Sequence, residues 1–516
     1  MLFNSYQFLF LFLPITILGF FQIGRYSRSI SSLWLFSASL FFYGWWNPAY
    51  VSLLLASICF NYGVGKALSR EQARNHLRRA WWILACGITA DLCLLGYYKY
   101  ANFFITNVSG LLNSNWHIDP VILPLGISFF TFTQIAFLVD AYRGDVKESN
   151  FIHYGLFVTY FPHLIAGPVL HHKEMMPQFA HPITYRPHWE NFSVGLTLFT
   201  IGLFKKVILA DGIAPYANLV FNAADHGTQI LFTEAWGGAL AYTFQLYFDF
   251  SGYTDMALGI SCLFGVKLPI NFDSPYKSVN IIDFWRRWHI TLSRFLRDYL
   301  YFPLGGNRKG PFRRYANLMA TMVLGGLWHG AGWTFIIWGT LHGFYLIINH
   351  AWHGLREFMG IPSCSSSRIG TIFGVIVTFL SVVLAWVFFR STNLHTALDM
   401  ISSMIGLNGV TLPGRSLFKW GLADEIEKLG IHFGASTLFY GNESIWTWIV
   451  ILWVICWFTP NSQKILSSYQ PTLYKVVSIS RLNWVPNAVI AWLVGGIFVI
   501  ALFSIGKIST FLYFQF

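Results

Sequence analysis

Long apolar runs separated by short polar breaks order this chain. They fall near 6–24, 31–47, 48–65, 80–98, 121–139, 151–170, 193–211 and 234–265, then near 317–334, 335–351, 370–390, 445–460 and 487–507. A helix crosses a bilayer in about 20 mostly apolar residues. The pattern therefore predicts an all-α, polytopic integral membrane protein with about 11–13 transmembrane helices. Glycine pairs interrupt the runs at Gly237-Gly238 and Gly325-Gly326. Irregular backbone at membrane depth is tolerated only inside protein or along a cavity, so these pairs predict a cavity. The chain has no internal repeat and no low-complexity segment.

Composition narrows the class. Only 11% of the 516 residues are charged and 55% are hydrophobic, against about 25% charged in soluble domains. That excludes a soluble multidomain enzyme, a disordered chain and a coiled coil. The net charge is +12, which in a soluble chain suggests nucleic acid. In a membrane protein, Lys and Arg gather in cytoplasmic loops instead, and no nucleic-acid partner is expected. Lys66, Arg70, Arg74, Arg78 and Arg79 make 66–79 cytoplasmic. Counting spans back from there places the N-terminus on the periplasmic side of the inner membrane and Arg25 and Arg28 inside. The first basic residue is Arg25, so the first run reads as a span and not as a cleaved leader. The densest basic stretch is 286–314, and it is cytoplasmic by the same rule. The segment 391–444 carries more acids than bases and fits the outside. The six cysteines include no C-x-x-C pair, which disfavours both a zinc site and a disulfide framework.

Two stretches carry candidate chemistry. Residues 283–302, DFWRRWHITLSRFLRDYLYF, read as one amphipathic helix. At 100° per residue, Arg286, Arg287, Arg294 and Arg297 share one sector. Trp285, Trp288, Leu292, Phe295, Leu296 and Tyr299 lie opposite, and His289 is on their side. Such a helix serves as an anchor in the headgroup layer, although an anchor gains nothing from an imidazole in its apolar face. Residues 324–343, LGGLWHGAGWTFIIWGTLHG, hold His329 among Gly325, Gly326, Gly330 and Gly332. The missing side chains leave room for a substrate, with Trp328, Trp333 and Trp338 as walls. An ionisable group at membrane depth is a functional candidate by default, and burial favours the neutral imidazole that accepts a proton. The alternative is an interhelical hydrogen bond, as for His342. Asp249 and Asp255 either orient a histidine or form structural pairs with Lys205 or Lys206. His163, His171 and His172 match no compact zinc motif, and no metal is expected.

Together, FPHLIAGPVLHHKEMMPQF (161–179), YFDFSGYTDMALG (247–259), FDSPYKSVNIIDFWRRWHITLSRFLRDYLYFPLGG (272–306) and GGLWHGAGWTFIIWGTLHG (325–343) resemble the membrane-bound O-acyltransferase family. Within it they are most similar to the bacterial alginate O-acetyltransferase branch. One departure is His171, where an Arg is expected after the AGPxx segment. The resemblance implies a catalytic transmembrane core over 1–345. It also implies C-terminal helices over 346–516, with a periplasmic loop at 391–444. Re-entrant or interfacial helices would surround a central tunnel. His329 would be the catalytic histidine and His289 a second required one.

On this reading the acyl donor is acetyl-CoA, a substrate and not a bound cofactor. Some of Arg286, Arg287, Arg294, Arg297 and Arg308 would bind its phosphates, since Arg forks grip phosphate in pairs. The acceptor would be an exopolysaccharide such as alginate, reached through periplasmic acyl-accepting proteins. D-alanyl or other acyl transfer to a cell-wall polymer is the neighbouring alternative. A transporter or flippase is the competing class, and it would favour internal repeats. No G-x-S-x-G elbow is present, which disfavours a seryl acyl-enzyme.

Overall fold

The structure is a computed structural model. It describes residues 1–114, 116, 119–148, 150–360, 367–412, 431–433, 438–439, 444–477, 483–506 and 511–512. Among them the protein is helical apart from one short parallel pair, Val410–Leu412 with Ile431–Phe433. Four helices among the described residues are long and apolar enough to cross a membrane: Ala49–Ala73, Leu77–Leu111, Trp189–Asp225 and Arg368–Arg390. Phe8–Gly24, Ser444–Phe458 and Ala488–Phe503 are shorter and also apolar. Large apolar side chains face outwards on several of them, including Phe373 and Trp492. In water that would be costly; in lipid it is the matching surface. The chain is an all-α, multi-pass membrane protein.

Several expected runs are not single helices. The run near 151–170 begins as Phe151–Thr159, with the Asn150 side chain accepting from Ile152 and His153 amides. It breaks at Tyr160, and 160–171 continues as buried, irregular backbone. A Cβ on Gly167 would stand 2.2 Å from His163 Cα, so this tight turn needs glycine. Irregular backbone survives here because protein surrounds it. The run near 121–139 becomes helical only at Ile127, after Gly126 at φ +72°.

The chain forms two compact units. One comprises 1–204, 251–271 and 460–515; the other comprises 205–250 and 272–459. In the first, Phe3 stacks on Tyr253 at 4.9 Å. The helix Trp189–Phe204 lies close to residues 251–263, because a Cβ on Gly202 would meet the Gly252 carbonyl at 2.6 Å. Asp255 accepts hydrogen bonds from Ser462 Oγ and Gln463 Nε2, both at 2.6 Å. Asp91 accepts from Asn61 at 2.8 Å. His171 caps the helix His172–Ala180 together with Glu174, and His172 Nδ1 lies 3.2 Å from Asp140.

In the second unit the glycine pairs are closely packed. A Cβ on Gly238 would lie 2.6 Å from Val220, and one on Gly237 would lie 2.8 Å from Phe439. A Cβ on Gly326 would meet the Phe335 carbonyl at 2.2 Å. These glycines let neighbouring chain pack closely, as small residues do in membrane helices. Lys206 is buried and bridges Asp211 and Asp249, at 2.7 Å each. Asp249 thus closes a structural ion pair, one of the two roles open to it from sequence. Breaking one side of such a pair is costly because the partner charge stays buried.

Candidate active site

Both singled-out histidines belong to the second unit, and the fold brings them together. His329 is the last residue of the helix Gly310–His329. That helix turns back through Gly330–Gly332 into Trp333–Phe358. The hairpin is held by glycine: a Cβ on Gly339 would sit 2.3 Å from the Met322 carbonyl, and one on Gly343 2.7 Å from Met319 Sδ. The expected space around His329 is therefore partly filled. The Phe335 ring occupies the place where a Gly330 side chain would be, 2.2 Å from an ideal Cβ. His329 is only 6% exposed. It is enclosed edge-on by Trp328 at 5.0 Å, Trp338 at 5.1 Å and Phe389 at 5.2 Å. Trp328 and Trp338 wall it as expected, whereas Trp333 is more than half exposed. Phe389, from the helix Arg368–Arg390, replaces it.

The segment 283–302 departs from the single amphipathic helix. Asn280 caps a short helix, Ile281–Arg287, by accepting from the Asp283 amide at 2.9 Å. The helix stops at Trp288, and His289 adopts left-handed backbone with φ +42° and ψ +53°. A second helix, Ile290–Leu296, follows and ends in a π-helical turn, Arg297–Tyr301. A non-glycine residue in that region costs of order 1–3 kcal/mol and persists only where packing holds it. Here Trp288 is wedged between Phe272 and Trp386, each at 5.0 Å. The break turns His289 inwards until it is 1% exposed. It lies edge-on to Phe250 at 4.9 Å, and its ring centre is 6.4 Å from that of His329. At that separation one bound atom can lie within hydrogen-bonding reach of both imidazoles.

The break also sorts the arginines. Arg287 is tied to Asp283 at 2.9 Å and Arg297 to Asp298 at 2.7 Å. Arg294 is half-buried, and Arg286 and Arg308 are exposed. Arg286 belongs to a cluster that spacing along the chain does not reveal. Arg314 donates to His350 Nδ1 at 2.6 Å, and Arg286 and Arg314 both exert positive charge on His350. Arg314 lay in the dense basic stretch, but nothing in the spacing joined it to a histidine 36 residues away. His342 is also corrected. It is fully buried, between Trp338 at 4.8 Å and Trp285 at 5.1 Å. Neither ring nitrogen has a hydrogen-bond partner among the described residues.

The profile of "MBOAT, membrane-bound O-acyltransferase family" matches residues 64–390. The chain belongs to this family. Both histidines, the glycine hairpin and the basic cluster fall inside the matched span, and the protein is an O-acyltransferase. It is 42% identical to the "Peptidoglycan O-acetyltransferase" of Helicobacter pylori, over 100% of this chain and 98% of that protein. It is 43% identical to the "Probable alginate O-acetylase AlgI" of Pseudomonas aeruginosa, over 78% of this chain and 75% of that protein. It is 30% identical to the "Teichoic acid D-alanyltransferase" of Bacillus subtilis, over 52% of this chain and 69% of that protein.

Proposed function

We propose that this O-acyltransferase moves an acetyl group from cytoplasmic acetyl-CoA across the inner membrane to a hydroxyl of an envelope polysaccharide. The observation that carries the reading is the enclosed pair of His329 and His289, 6.4 Å apart, in a chain of this family. His329 acts as the base. It takes the proton of the acceptor hydroxyl as the oxygen attacks the thioester carbonyl. The new C–O bond forms, the C–S bond breaks, and the imidazolium returns its proton to the departing thiolate. His329 ends its helix, so the partial negative charge of that terminus faces the cation as it forms. His289 donates a hydrogen bond to the developing oxyanion. Arg286, Arg314 and His350 hold the phosphates of CoA, with Arg308 and Arg294 as further candidates.

The acceptor has two readings. The alginate-type branch supports an exopolysaccharide reached through periplasmic acyl-accepting proteins docked on 391–444. The match to the peptidoglycan enzyme extends over the whole chain, and it favours a sugar hydroxyl of the cell wall. Purified protein in proteoliposomes, given labelled acetyl-CoA and an acceptor glycan, tests the proposal. His329→Ala should lower transfer about 10²–10⁴-fold. Transfer at the wild-type rate would overturn the assignment. Comparing alginate oligomers with peptidoglycan fragments as acceptors decides between the readings.

A further inference from the structure

Away from the histidines, the first unit holds a cleft of about 600 Å³ between two turns, 24–28 and 182–187. Arg25, Arg28 and Arg186 all line it, together with Tyr26 and Tyr185. The cleft is built rather than incidental. A Cβ on Gly24 would lie 3.2 Å from Tyr185 Cβ, so the two turns meet at its floor. Tyr185 is fixed by Ser32 Oγ and the Phe179 carbonyl, each at 2.5 Å. Pro182 and Pro187 stiffen the other wall.

Its charge is unbalanced. No ion pair joins Arg25, Arg28 or Arg186 to a carboxylate among the described residues. Glu148, which acts on Tyr185 through space, is bound to His153. Three guanidiniums around one concavity repel one another until an anion enters, and phosphate oxygens suit the guanidinium fork.

Position selects the kind of anion. The cleft lies at the end of the apolar helix Phe8–Gly24, whose Phe10, Leu11, Ile15 and Leu18 are 49–63% exposed. Nearby, Tyr26 is 91% and Trp189 79% exposed. Aromatic residues beside basic ones, above an outward apolar surface, mark headgroup depth. We propose that Arg25, Arg28 and Arg186 form a binding site for the phosphodiester headgroup of an anionic phospholipid, whose acyl chains run down the exposed face of Phe8–Gly24. A zwitterionic lipid would bring a cation into the same cleft and is disfavoured.

Native mass spectrometry of the full-length protein in detergent tests this with dioleoyl phosphatidylglycerol and dioleoyl phosphatidylcholine as probes. Wild type should retain the glycerol lipid in preference to the choline lipid. Each of Arg25→Gln, Arg28→Gln and Arg186→Gln should weaken retention roughly fivefold, and the triple variant should abolish the preference. The triple Arg→Lys variant keeps the charge and should keep the preference, which separates binding from folding. Equal retention of both lipids by wild type would overturn the proposal, as would an unchanged preference in the triple Gln variant. Displacement of the lipid by inorganic phosphate or CoA at equal concentration would also overturn it, by showing a soluble-phosphate site.

Discussion

His289 is a histidine in backbone where glycine or asparagine is the ordinary choice. That conflict separates its two possible roles. His289→Asn retains a side chain that tolerates the left-handed region but lacks the imidazole. The variant should unfold within a few degrees of wild type, and its transfer rate should fall at least about 100-fold. Wild-type turnover in that variant would reduce His289 to a structural bend. The arginines divide in the same way. Arg286→Gln and Arg314→Gln should each raise the KM for acetyl-CoA about tenfold, the worth of one hydrogen bond to a charged group. Arg287→Gln and Arg297→Gln should leave it nearly unchanged, because their guanidiniums are already committed to Asp283 and Asp298. Initial rates over a range of acetyl-CoA concentrations check all four.

At the scale of elements, the hairpin of Gly310–His329 and Trp333–Phe358 sets where His329 points. Gly339→Ala puts a methyl group 2.3 Å from a backbone carbonyl, which no side-chain rotation relieves. Overpacking of this kind costs typically about 1–3 kcal/mol. The variant should melt lower and lose activity, although it touches no reacting group. Gly354→Ala, on the same helix but with open space around its Cβ position, should do neither. A thermal melt of the two proteins in detergent makes the comparison. The hairpin also shows what the sequence can convey. The apolar runs, the buried character of His329, the place of His289 on the aromatic side of its segment, and the segregation of basic from aromatic residues were all legible, because each follows from side-chain type and spacing. The use of the glycines was not. A glycine pair that borders a cavity and one that admits a neighbouring backbone have the same sequence, and only the neighbour distinguishes them. The break at Trp288–His289 was equally hidden. Phe272 and Trp386, which hold it, lie well outside any helical window. The roles of Phe389 and Phe250 are hidden for the same reason.

At the scale of the whole molecule, the proposed reaction needs its two substrates on opposite sides of a membrane. CoA is cytoplasmic and the polymer is not, so the charge pattern that sets topology becomes a condition on mechanism. The basic cluster near 286–314 must face the cytoplasm, and the segment 391–444 must face out. Arg313 is exposed, and the His395 side chain is 81% exposed. In a chain whose six cysteines have been replaced by serine, Arg313→Cys and His395→Cys supply one reporter for each side. A membrane-impermeant maleimide applied to intact spheroplasts should label His395→Cys. It should label Arg313→Cys only after the membrane is opened. The reverse pattern would place the arginines where no CoA exists, and the donor assignment would fail even if both histidines proved essential. Labelling of both in intact cells would instead mean that the chain crosses the bilayer a different number of times between them. The same two variants, assayed for acetyl transfer, link orientation to chemistry. Since neither residue is assigned to the donor cluster or the histidine pair, both should remain active before labelling. A bulky maleimide on Arg313→Cys, beside Arg314, should then obstruct acetyl-CoA entry and raise its KM, while the adduct on His395→Cys should leave that KM unchanged.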